Sequence, residues 1–119
     1  MSINKFEDLI AWQKSQNLAV AIYNQFKKSQ EFSFKDQIIR AVISISNNIA
    51  EGYDRGTKKD FIRFLFISKA SASEVKSMLY LSNKLNIVEK EEAIILLNEC
   101  DEVCKIIGGL IKSTAKLIQ

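Results

Sequence analysis

The chain has 119 residues, a formal net charge of +3, 47% apolar residues and 26% charged residues. That is the length of a single domain, spanning 1–119, and it is too apolar for a disordered segment. It contains no histidine, which excludes imidazole acid–base catalysis, Ser-His-Asp and Cys-His nucleophile systems, and metal sites that need an imidazole ligand.

No proline and only four glycines interrupt the chain, so the punctuation of an all-β protein is missing. Hydrophobic periodicity predicts four amphipathic helices. The first runs from about Phe6 to Lys28, with Leu9, Trp12, Ala19, Tyr23 and Phe26 on one face and Trp12 as a core anchor. A polar stretch, 29–33, precedes the second helix, about Phe34 to Tyr53, for which Gly52 or Gly56 supplies a left-handed stop. Thr57 and Asp60 form a capping-box pattern that opens the third helix, which extends to about Asn86. The fourth starts near Glu89, with acids in its first turn where they suit the helix dipole. Short connections force neighbours antiparallel, so the predicted fold is all-α, an up-down-up-down four-helix bundle.

The second helix carries an unusual polar stripe. Gln37, Arg40, Ser44, Asn47, Asn48 and Glu51 fall within an arc of about 100°. Amides, a hydroxyl, one Arg and one Glu can satisfy each other in a confined network, within one subunit or between subunits. The same stripe around Arg40 and Glu51 is the candidate site if the protein is a small-ligand binder or an enzyme. The rest of the helix is apolar over more than half its circumference, more than one small bundle is expected to cover. A ring of identical subunits would bury the excess.

The third helix carries a basic arc. Lys58, Lys59, Arg63, Lys69, Lys76 and Lys84 share one side with Ile62, Phe66 and Tyr80, opposite a core-facing set that includes Phe61, Phe64, Leu65, Val75, Met78 and Leu79. Bases interleaved with aromatics suit phosphate tracking and base stacking, which makes Lys58, Lys59, Arg63, Phe66, Lys69, Lys76 and Tyr80 the candidate nucleic-acid-binding residues. The same pattern suits an oligomer interface with a basic rim, or a solvated face. Cys100 and Cys104 read as small core hydrophobes, since without histidine or further cysteine they complete no zinc site. Gly108 and Gly109 interrupt the fourth helix and imply close approach of a neighbour or fraying. No catalytic residue, metal or cofactor is expected. The opening MSINKFEDLIAW carries acids where a signal peptide needs a bare apolar stretch, so the cytoplasm is the expected location, with no membrane partner.

The stretch QIIRAVISISNNIAEG, 37–52, resembles the signature of a bacterial four-helix-bundle family encoded by intervening sequences within 23S ribosomal RNA genes. FEDLIAWQKSQNLAVAIY, 6–23, resembles its opening helix, and Phe61, Phe64, Leu65, Ile67, Ser71 and Glu74 match its third-helix pattern. Ser46 stands where that family commonly has proline, Ala70 where it has glycine, Ser15 and Ser68 where it has alanine, and Phe34 where it has leucine. A related branch, the accessory variability determinant of diversity-generating retroelements, is a homopentamer that binds nucleic acid and a reverse transcriptase. The resemblance therefore implies a non-enzymatic homo-oligomer, most readily a pentamer. RNA or DNA and a reverse-transcriptase-like protein are the partners it suggests. A purely structural oligomer without nucleic-acid affinity is the alternative.

Overall fold

A computed structural model describes residues 3–118. A short 3-10 turn, Phe6–Asp8, leads into four helices: α1 (Ile10–Phe26), α2 (Phe32–Asp54), α3 (Lys58–Lys84) and α4 (Lys90–Lys116). They pack in cyclic order, α1 on α2, α2 on α3, α3 on α4 and α4 on α1, in a body of 47 × 23 × 20 Å. This is the expected up-down-up-down bundle, and no strand occurs among the described residues.

Local chemistry explains the boundaries. The backbone N–H of Asp60 donates to Thr57 Oγ1 at 3.2 Å, capping α3 as the sequence predicts. Gly56 has φ +90° and makes the turn between α2 and α3, while Asn86 takes φ +61° between α3 and α4. Gly52 does something different from a stop. It lies buried inside α2, where an added Cβ would collide with Cβ of Phe64 and sit 3.1 Å from its Cγ. The missing side chain is what lets α2 and α3 approach.

The core differs from expectation on α1. Its buried face is Ala11, Ser15, Leu18, Ile22 and Phe26, whereas Tyr23 is 53% exposed and Trp12 and Ala19 only flank the core. A buried serine hid this register. Ser15 Oγ donates back to the Ala11 carbonyl at 2.6 Å, which makes burial affordable. The predicted core arc of α3 is buried throughout, from Phe61 to Leu79.

The wide apolar arc of α2 is also largely covered within the chain. Ile38, Ala41, Val42, Ile45 and Ile49 are buried between α1 and α3, which leaves Ile43 at 44% exposure. Hydroxyls join the helices where the sequence departs from the family pattern. Ser68 Oγ donates to the Ile45 carbonyl at 2.7 Å, and Gln16 Nε2 donates to Ser46 Oγ at 2.9 Å. The described residues leave no buried side-chain polar atom unpaired.

Candidate nucleic-acid interface

The polar stripe of α2 divides into three separate parts. Asn48 Nδ2 donates to both the carbonyl and the Oγ of Ser44, each at 2.8 Å, and Ser44 Oγ lies 2.9 Å from Ser71 Oγ on α3. Gln37 Nε2 donates to Glu74 of α3 at 3.2 Å. Glu51 faces Arg55 one turn on, at 3.9 Å. Arg40 and Asn47 are exposed and join none of these, so the guanidinium does not organise the network. Arg40 and Glu51 stand eleven residues apart, about 16 Å along the helix, too far to converge on one small ligand.

These pairs produce an outward face shared by α2 and α3. Ile43, next to Ser44 in the chain, and Ile67, one turn before Ser71, are both exposed, and so is Ala70. From Asp36 to Asp54 the chain has no lysine at all.

The basic arc of α3 is real but uneven. Lys76 Nζ is 2.8 Å from Asp101 of α4, whose hydrogen bond and charge hold the ammonium above its ordinary pKa. Arg63 reaches Asp60 at 3.4 Å and lies over the Phe64 ring, 4.8 Å from its centroid. Lys58, Lys59, Lys69 and Lys84 are exposed, Ile62 is half-buried, and Phe66 is 55% exposed. Tyr80 is exposed as well, but it lies fourteen residues beyond Phe66, about 21 Å along α3.

Between α3 and α4 runs a groove of about 680 Å³, lined by Phe66, Lys69, Cys104, Lys105, Gly108, Gly109, Ile111 and Lys112. Lys105 and Lys112 were not among the expected contact residues. Their seven-residue spacing was the available signal, because it places both on one side of a helix. Gly108 meets only Lys69 Nζ, 3.9 Å from where its Cβ would be, and Gly109 has nothing within 4 Å. No helix among the described residues makes the expected close approach, and α4 runs unbroken through both glycines.

Cys100 is buried as expected, its thiol donating to the Ala72 carbonyl at 3.3 Å. Cys104 instead reaches the groove. The neighbouring Cys100 thiol favours its thiolate and lowers its pKa to about 7, with help from Lys76 and Lys69 and against the cost of burial. The same coupling and burial push Cys100 upward. Since the folded pKa of Cys104 is depressed, its thiolate fraction grows as pH rises through 7. Iodoacetamide is expected to alkylate Cys104 at a rate that climbs between pH 6 and 8, a range of about one unit either side of that value, and to spare Cys100 until the bundle unfolds. Equal labelling of both in the native protein would contradict this placement.

The sequence model of the 23S rRNA-intervening sequence proteins matches residues 7–109. The chain belongs to that family. Among solved structures it is similar to a protein with unknown function from the S23 ribosomal protein family of Bacteroides thetaiotaomicron. The two are 30% identical with a TM-score of 0.82, over 87% of this chain and 99% of that one. No curated protein matches significantly. Neither the family description nor the similar structure names a catalytic activity. No helix among the described residues is long and apolar enough to cross a membrane.

Proposed function

We propose that this intervening-sequence family member is a non-enzymatic, cytoplasmic homo-oligomeric scaffold, a pentamer, that associates with RNA or DNA through α3. The observation that carries the assembly is the α2/α3 face. Ser44, Asn48 and Ser71 are already paired within the subunit, α2 carries no lysine from Asp36 to Asp54, and Ile43 and Ile67 stand exposed on it, with Arg40 and Asn47 left to bond across the contact. Such a face can be covered without stranding its paired hydroxyls and amide, provided that Arg40 and Asn47 find partners on the neighbouring subunit. Gln37, Arg40, Ser44, Asn47, Asn48 and Glu51 then act as interface and structural residues. An enzyme built on Arg40 and Glu51 is disfavoured by their separation. By the family resemblance, a reverse-transcriptase-like protein is the protein partner to test first.

Nucleic-acid association is favoured by Phe66, exposed beside Lys69 at the mouth of a groove lined by further lysines. Lys58, Lys59, Arg63 and Lys69 would follow phosphates while Phe66 stacks on an unpaired base. Tyr80 is a second, more distant stacking position. Lys76 is already committed to Asp101 and contributes least. Reversing Lys59 and Lys69 to glutamate is expected to weaken binding of a single-stranded RNA. It should also flatten the slope of log K against log salt by about 1.4, roughly 0.7 per lost phosphate contact. Fluorescence anisotropy at several salt concentrations reads both. Absence of RNA and DNA binding by the parent protein would leave the purely structural oligomer.

A further inference from the structure

The exposed stripe of α4 reverses charge along its length. Residues 89–102 hold six acids and one base, whereas residues 103–119 hold three lysines and no acid. Within the acidic half, the carboxylates of Glu89, Glu91 and Glu92 crowd within 4.8 Å of one another and form no ion pair among the described residues. Lys105 and Lys112 are likewise exposed and unpaired there. Each half carries what would neutralise the other, but along one straight helix the two never meet.

The spacing is also symmetrical. Glu91, Ile94, Asn98, Lys105, Gly109 and Lys112 lie on one exposed stripe, within about 60° of helix circumference. Reversed about a point between residues 101 and 102, the stripe maps onto itself: 91 onto 112, 94 onto 109, 98 onto 105. The first match joins an acid to a base. The second joins an isoleucine that is 46% exposed to a glycine with no atom near it.

We infer that α4 is a docking surface for α4 of a second copy of this chain, antiparallel and two-fold symmetric. Ile94 of each copy seats over Gly109 of the other, at the edge of the groove that Phe66 walls, and Glu91 pairs with Lys112. Two such knobs, about 22 Å apart along the helix, engage at once because the contact is isologous. The mid-helix glycines, costly in an isolated helix, then admit close approach by a partner helix. This contact goes beyond the ring proposed above and uses a different face, so it joins isolated chains into dimers or rings into pairs. A polyanion in the same groove would compete with it.

The full-length protein and the variants Glu91→Lys, Lys112→Glu and the two combined are compared by sedimentation velocity in low salt, with circular dichroism confirming unchanged helix content. Either single reversal is expected to weaken the α4 contact about tenfold or more, halving the assembly mass at a fixed concentration. The double variant restores the pair with its signs exchanged and recovers the parent mass. Adding Ile43→Lys separates this contact from the ring, since a chain that has lost the α2/α3 face still sediments as a dimer. The inference is overturned if all four proteins share one mass, if the double variant fails to recover, or if the Ile43→Lys protein is monomeric at concentrations where the parent is assembled.

Discussion

Gly52→Ala is expected to cost the fold about 2 kcal/mol, within the usual range for overpacking a core, and to lower Tm by roughly 10 °C. Helix propensity alone predicts the opposite, because alanine in a helix interior is worth about 0.5–1 kcal/mol over glycine. Steric collision wins here because the new methyl meets Phe64 Cβ, which is fixed to the backbone of α3 and cannot rotate away. Relief would have to come from moving α3 itself, and that loosens the Ser68–Ile45 hydrogen bond and the buried layer around it. Gly108→Ala is the internal control. Its only neighbour is the flexible end of Lys69, so it should gain stability by up to about 1 kcal/mol. Thermal denaturation of the two variants side by side checks the argument. A neutral or stabilising Gly52→Ala would mean that the two helices are not held at this distance.

Ile43→Lys is expected to abolish the ring with little change in the stability of the subunit. Ile43 already has 44% of its surface in water, so the subunit loses little packing, and an exposed substitution usually costs no more than about 0.5 kcal/mol. In the ring the same lysine would be carried into a lysine-free contact, where its ammonium has no designed partner and its desolvation is uncompensated. Multi-angle light scattering should show the parent at a multiple of five times the 13.5 kDa chain mass, a single ring or the pair of rings that α4 joins. The variant should be reduced to no more than the dimer that α4 supports. An unchanged mass would remove the α2/α3 face from the assembly.

The bundle itself was legible from periodicity, the absence of proline and the Thr57 cap, because these act locally. The α1 register was not, since Ser15 is polar by composition yet buried by a bond to its own helix, while Tyr23 is apolar by composition yet exposed. The second helix looked too apolar for a monomer because its two flanking neighbours could not be seen to cover it. The basic arc of α3 was visible as a stripe, but which of its bases stay free depends on α4: Asp101 takes Lys76 and leaves Lys69. Cys104 and Gly108, fourth-helix residues, acquire meaning only when Phe66 and Lys69 stand opposite them. Spacing within one helix carries no information about that opposition.

The three connections, at 27–31, 55–57 and 85–89, have a consequence for how the molecule forms. Three of the four helix interfaces join sequence neighbours, and among the described helices only the α1–α4 closure pairs elements that are not consecutive. Loop-closure entropy is therefore small for most of the native contacts, which places this topology among the fast folders of its size. With no proline anywhere, slow prolyl isomerisation does not delay it. Each subunit can be complete soon after its last helix is synthesised, so assembly with other copies becomes the slow, concentration-dependent step.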